Sequence, residues 1–254
     1  MMKAVRVNGA RAAAASSGPV LPYTSGLQLW FKADSIVASD GDAVTTWADS
    51  SGNGYDVSQS VAGEKPTYKT GILNGKPVVR FDGGDLLYRA TTALGLRTHT
   101  MFAVFRESST VTSAGIINLY AAGAGSDYDS LDAISYDTGN NSFYMQATSP
   151  GLNMTVGSSG ASPWGVYASV MGGGTATVYQ NGSAGTTDAS YSEPDVNSAG
   201  GFILGGHWIS GAIYAPARLN GDIAEILWYS SNLSASNRQL VERYLGAKYG
   251  ITVA

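Results

Sequence analysis

The stretch from Leu219 to Ile251, LNGDIAEILWYSSNLSASNRQLVERYLGAKYGI, constrains the fold more than any other part of the sequence. A strand-like run from Asp222 to Tyr229 is followed by a polar break and one amphipathic helix. Ser234 or Ser236 is available as N-cap, and Ser236 with Gln239 three residues on forms the pattern of a capping box. Leu240, Val241, Tyr244 and Leu245 make one apolar face at helical spacing, and Gly250 suits the C-terminal stop. Upstream the pattern is almost wholly β. A single terminal helix on an otherwise all-β chain leaves few architectures open.

Turn signals punctuate short strand candidates throughout: Asn53-Gly54, Asn74-Gly75, Asp82-Gly83, Asn181-Gly182 and Asn220-Gly221. Between them lie Val78–Phe81, Thr100–Arg106, Gly115–Tyr120, Ser142–Ala147, Tyr167–Met171, Thr175–Gln180 and Phe202–Leu204. Met101 to Phe105 is wholly apolar, as expected of a strand buried on both faces. Thr175 to Gln180 alternates, with one face toward solvent. Gly172-Gly173-Gly174 reads as a turn between two strands. No linker splits the chain after Pro22 and no internal repeat is present. With 254 residues and 44% hydrophobic side chains, the chain has enough apolar material for one large β domain. The expected fold is all-β: two antiparallel sheets face to face in a jelly-roll sandwich, with one C-terminal α-helix.

The order of these segments resembles the laminin-G-like, concanavalin A-like lectin and glucanase jelly-roll domains. The closing pattern stands here as Gly221, Ile223, Ala224, Glu225, Tyr229, Leu233, Ser234, then Tyr244, Leu245, Lys248, Tyr249, Gly250 and Ile251. The opening order stands as LQLWFKAD (27–34), WADSSGNGYD (47–56), KPTY (65–68) and NGKPVVRFD (74–82), with VYQNG (178–182) and FILGG (202–206) in the middle. The resemblance runs from about Gly26 to Val253. It implies the sandwich; it implies little about function, because this fold hosts lectins, glycosidases, adhesion modules and virion proteins.

Two parts are expected: an N-terminal arm over 1–24 and the jelly-roll domain over 25–254. The arm carries Lys3, Arg6 and Arg11, and its apolar run is too short for a signal peptide. It reads either as a polar, Ala-rich leader without fixed structure or as a segment that docks on a partner through those three cations. The formal charge of -4 argues against nucleic-acid binding, and no apolar run approaches the length of a membrane helix. The chain has no cysteine, which excludes a thiol nucleophile and thiolate metal ligands.

The resemblance to glucanases makes paired carboxylates the first chemistry to test. A retaining glycosidase needs two carboxyl groups about 5 to 5.5 Å apart, and acids an even number of residues apart share a strand face. Asp222 and Glu225 are three apart and are expected on opposite faces. Glu64, Glu107, Glu193 and Glu242 are isolated. Glu225 is expected to be a structural acid bonded to a neighbouring loop. His99 and His207 are expected at a strand entry and an exit, as loop or edge histidines, and no GxSxG elbow is present. No catalytic residue is assigned.

Two binding chemistries remain. Asp127, Asp129 and Asp132 cluster in SDYDSLDAISYD (126–137), a candidate calcium loop of hard oxygen ligands without the glycine and final glutamate of an EF-hand. A second acidic cluster comprises Asp40, Asp42, Asp49 and Asp56, of which Asp49 and Asp56 are expected, with Asn53, to brace tight turns. Tyr128, Trp164, His207, Trp208 and Tyr214 fall in loop-like segments and are candidates for stacking a glycan; Tyr136 and Tyr191 lie in similar surroundings. Trp30, Trp47 and Trp228 sit inside strand signatures and are expected in the core.

The first functional expectation is a non-catalytic virion accessory protein of a tailed bacteriophage, a capsid decoration or tail-associated protein at the virion surface. Its arm would clasp virion proteins or further copies of the chain. The alternative is a lectin-like carbohydrate-binding module, extracellular or at a cell surface, with a cell-surface glycan as partner and calcium as its candidate cofactor.

Overall fold

A computed structural model describes residues 19–90, 94, 98–108, 114–121, 133–137, 142–146, 152–154, 163–191, 199–209, 212–214 and 218–254. Eighteen strands and one α-helix are found among them. In chain order the strands are β1 (Leu27–Lys32), β2 (Thr46–Trp47), β3 (Val57–Ser58), β4 (Thr67–Leu73), β5 (Lys76–Asp82), β6 (Leu87–Arg89), β7 (His99–Glu107), β8 (Ala114–Ala121) and β9 (Ala133–Asp137). They continue as β10 (Ser142–Gln146), β11 (Leu152–Met154), β12 (Gly165–Gly172), β13 (Thr175–Gln180), β14 (Ser183–Asp188), β15 (Ala199–Leu204), β16 (His207–Ile209), β17 (Ala212–Tyr214) and β18 (Asn220–Tyr229), and helix α1 spans Ala235–Tyr249.

One sheet runs β14-β13-β12-β7-β18-β5-β4, with β1 also paired to β18. The second runs β11-β10-β9-β8-β15-β6-β3-β2, and β16 with β17 forms a separate ribbon. Every strand pairing is antiparallel. The expected all-β sandwich with a C-terminal helix is therefore the observed architecture.

The first sheet is apolar on both faces, which explains the near-continuous burial of β7 and β18. Its inner face packs against the second sheet through Phe31, Phe81, Phe105, Ile223, Ile226 and Trp228, meeting Trp47, Leu119 and Phe202. Its outer face carries Val78, Phe102, Val104, Val166, Ala168, Leu227 and Tyr229, which α1 covers with Val241, Tyr244, Leu245 and Tyr249. Removing a side chain of this size from water contributes about 1.5–3 kcal/mol, so this apolar face fastens the helix to the sheet. Thr175–Gln180 alternates as expected, burying Ala176 and Val178 against the inner core.

The helix starts at Ser234, whose Oγ accepts from the Asn237 amide at 3.3 Å; Ser236 lies inside the first turn and is not the cap. Gly250 closes the helix in the left-handed conformation at φ 67°. Leu240 departs from the expected apolar face and is 40% exposed. The buried arc is centred on Val241, Leu245 and Lys248, and at about 100° per residue Leu240 falls at its rim. Asn74-Gly75 and Asn181-Gly182 have φ of 49° and 71°, and 50° and 83°, the paired positive values of the tight hairpin turn that the Asn-Gly dipeptides predict.

Candidate functional site

β18 is the central strand of the first sheet, and its two acids define the site. β7 pairs along one edge of β18; on the other, β5 takes Asn220–Ile223 and β1 takes Leu227–Tyr229 and back to Glu225. Ile223 faces Phe105 and Glu225 faces Val104, so Ala224 is an extra residue with no partner on β7. This β-bulge resets the alternation. Ile223 and Ile226 both point into the inter-sheet core, while Asp222, Ala224, Glu225 and Leu227 share the outer face. Sequence spacing places Asp222 and Glu225 on opposite faces; the structure corrects this.

The two acids have separate partners. Glu225 is fully buried and accepts from four donors: Trp30 Nε1 at 2.6 Å, Tyr244 OH at 3.4 Å, Lys248 Nζ at 2.7 Å and Tyr249 OH at 2.8 Å. Lys248 Nζ also reaches Asp34 at 3.1 Å. Glu225 is thus a structural acid, but it ties β1 and α1 to the sheet instead of bracing a loop. Burial and the Glu225 charge push the phenols of Tyr244 and Tyr249 well above their ordinary range.

Asp222, also fully buried, is clamped from both sides. Arg80 donates Nε at 2.6 Å and Nη2 at 3.0 Å; Arg106 donates Nε at 2.7 Å, with its Nη2 in ion-pair contact at 2.6 Å. The register dictates this, since Asp222 lies opposite Arg80 on β5 and opposite Arg106 on β7. Burial by the clamp is one-sided: the arginine side chains remain 38% and 34% exposed while the aspartate is at 0%. The bond to Asp222 raises the Arg80 pKa further. The Arg106 guanidinium lies 5.2 Å from the ring of Trp164, the residue before β12. Arg80, Asp222, Arg106 and Trp164 therefore form a transverse row over four adjacent strands, about 14 Å long at the usual strand spacing. Two planar cations fixed by a buried carboxylate, with one indole beside them, are chemically suited to hydrogen-bond and stack a polar, flat-faced ligand.

Of the residues proposed from sequence, Trp164 belongs to this row and is half-buried. His207 is fully buried at the start of β16, so it does not present its ring to solvent. Trp208 and Tyr214 lie on β16 and β17, with Tyr214 opposite His207. Tyr191 is buried in the inter-sheet core. His99 is buried on β7 and stacked on Trp228 with centroids 4.4 Å apart, which corrects the expected edge position. Tyr128, the candidate calcium ligands Asp127, Asp129 and Asp132, and the arm cations Lys3, Arg6 and Arg11 lie outside the described residues.

Trp47 and Trp228 are core, as expected, but Trp30 is half-buried on the outer face with Lys32 Nζ 4.3 Å from its ring. The opening acids brace turns as expected. Asp49 accepts from the amides of Trp30, Ser51 and Tyr55, Asp56 accepts from the Asp49 amide, and Asn53 donates to the Leu27 and Gln28 carbonyls. Arg80 and Arg106 escape sequence reading because isolated strand charges acquire meaning only once the register is known.

No family model matches this sequence. No curated protein matches it either. The fold matches solved structures at low identity. A Trypanosoma rangeli sialidase in complex with the inhibitor DANA superposes with a TM-score of 0.57 at 14% identity, over 92% of this chain and 34% of that one. A GH54 α-L-arabinofuranosidase mutant superposes at 0.55 and 13% identity, over 89% of this chain and 60% of that one. The chain thus spans about a third of the length of the sialidases it matches. These likenesses show the fold alone: an antiparallel β-sandwich.

Proposed function

We propose that this chain is a non-catalytic glycan-binding module. The observation that carries the reading is the Arg80–Asp222–Arg106–Trp164 row. A buried carboxylate holds two arginine planes in place on the sheet, with an indole beside Arg106, while both arginine side chains keep about a third of their surface exposed. Preorganised polar groups next to an aromatic face are what a sugar, with apolar C–H faces and hydroxyl edges, requires. The non-catalytic part of the reading is supported by the use of Asp222 and Glu225, each of which is buried with its oxygens bonded to donors of its own fold.

The test is a glycan array on the full chain, followed by calorimetric titration of any hit against Trp164→Ala and Arg106→Ala. Saturable binding that weakens at least tenfold in both variants, about 1.4 kcal/mol, is the expected result. Binding unaffected by either change would remove the row from the reading, and hydrolysis of the bound glycan would overturn the non-catalytic part.

A second reading, a tailed-phage virion accessory protein docking through residues 1–24, is favoured by one observation. Leu21 is buried against the outer-face cluster and Tyr229 OH donates to the Tyr23 carbonyl at 2.8 Å, so residues 21–23 are held on the sandwich. Light scattering of the full chain beside a version lacking residues 1–18 tests it. Assembly lost on truncation supports docking through the arm, and identical monomers count against self-assembly.

A further inference from the structure

We propose that a second site, a cavity of about 310 Å³ between β1, α1 and the Pro19–Leu21 segment, binds a small organic anion. Trp30 and Lys32 of β1, the following Asp34, Lys76 of β5, and Tyr244 and Lys248 of α1 line it. That volume lies in the range of small-molecule sites.

The charge distribution selects the ligand. Lys248 is committed to Asp34 at 3.1 Å and Glu225 at 2.7 Å. Lys32 and Lys76 have no carboxylate partner among the described residues; Lys32 only overhangs the Trp30 ring. Three lysines thus face one aspartate at the wall, and the balance stays positive when Glu225 behind it is counted. Two lysine heads at a concave, partly apolar site attract an anion more strongly than they would on an open surface. The chain itself does not supply that anion from the adjoining side, because residues 1–18, MMKAVRVNGARAAAASSG, contain no acid. Trp30, Leu21 and Pro19 provide the apolar walls that a bare inorganic ion would not use, which points to a carboxylate or phosphate ester with a carbon skeleton of about monosaccharide size.

Three probes with one skeleton test this: glucuronate, glucose 6-phosphate and neutral glucose, titrated calorimetrically into the full chain and followed by NMR at the Trp30 indole N–H. Either anion should bind saturably in the millimolar range or tighter and shift the indole signal, while glucose does neither. Lys32→Gln and Lys76→Gln should each weaken the anion at least fivefold and together abolish it, in protein whose thermal unfolding shows it folded. Failure of both anions, equal binding of glucose, or undiminished binding in the double variant would overturn the proposal.

Discussion

Substituting Glu225→Gln isolates the network that fastens the helix to the sandwich. The amide matches the carboxylate in size, so packing is conserved and only charge and acceptor capacity change. Oε1 accepts from Trp30 Nε1 and Tyr244 OH, and Oε2 from Lys248 Nζ and Tyr249 OH. A glutamine offers one oxygen. If it serves Lys248, its NH₂ confronts the Trp30 N–H; if it serves Trp30, its NH₂ confronts the lysine. In both orientations a buried donor loses its acceptor and Lys248, whose side chain is 4% exposed, loses a charge partner. Breaking a buried ion pair from one side costs about 3–5 kcal/mol. Asp34 still neutralises Lys248 in part at 3.1 Å, so the expected loss is at the lower end, about 3 kcal/mol. For a chain of this length that corresponds to a fall in Tm of roughly 6–12 °C. Urea and thermal unfolding of parent, E225Q, K248M and the double variant measure it. The double variant removes both charges and is expected to be less destabilised than the sum of the singles by at least about 1 kcal/mol. A single-variant loss below about 1 kcal/mol, or strict additivity, would refute the assignment of Glu225 and Lys248 as the fastening of α1.

Four further outcomes follow from particular contacts. Burial beside Asp82 raises the Asp85 carboxyl to about 6; because the folded state then holds a proton that the unfolded chain releases near pH 4, stability falls as pH rises from about 4 to 6, and Asp85→Asn should flatten that slope in unfolding titrations. The raised phenols of Tyr229, Tyr244 and Tyr249 retain protons that the unfolded chain loses near pH 10, so stability should drop above that pH and Tyr244→Phe should lessen the drop. Thr100 Oγ1 donates to the Ser231 carbonyl and accepts from the buried Leu233 amide, both at 2.8 Å, so Thr100→Val should cost about 1–3 kcal/mol in urea. Gly182 has φ 83° and a Cβ there would press on the backbone of Ala254, so Gly182→Ala should destabilise by more than about 1 kcal/mol and free the C-terminal residues to proteolysis.

Much of the sandwich was legible because local signals agreed. Thr175–Gln180 alternates, and the observed strand has the same bounds; Met101–Phe105 is uniformly apolar, and it is buried on both faces. The Asn-Gly dipeptides and Gly250 named their turns and cap through backbone chemistry that few other residues supply. The site was not legible for equally local reasons. The period-two rule assumes an unbroken pleat, and nothing in Ile223-Ala224-Glu225 announces that Ala224 is skipped by β7. The Arg80–Asp222 and Arg106–Asp222 bonds join residues 142 and 116 positions apart. Arg80 and Arg106 stand in separate strands, and nothing in the sequence links either to Asp222. His99 beside a polar threonine read as an edge, whereas stacking on Trp228 makes it part of the interior.

The outer face of the first sheet changes character along one line, and three strands change together. β5 passes from Val78 to Arg80, β7 from Val104 to Arg106, and β18 from Ala224 to Asp222. The end of α1 and the tail behind it cover the apolar side of that line. Asn74 Nδ2 donates to the Lys248 carbonyl, and the Ala254 amide donates to the Asn181 carbonyl at the far hairpin. On the other side the row needs only to be soluble, and serine, threonine or lysine would serve that end without burying a charge. A carboxylate at 0% exposure carries a desolvation cost of several kcal/mol before its arginines compensate. Solubility does not account for it. Fixing two guanidinium planes in register beside Trp164 does, since a mobile arginine must lose side-chain entropy when it binds and a clamped one has already lost it. Preorganisation for a ligand is the role we propose for the clamp, and that physical argument, rather than likeness to sialidases or arabinofuranosidases, is what supports the proposed reading as a binding module.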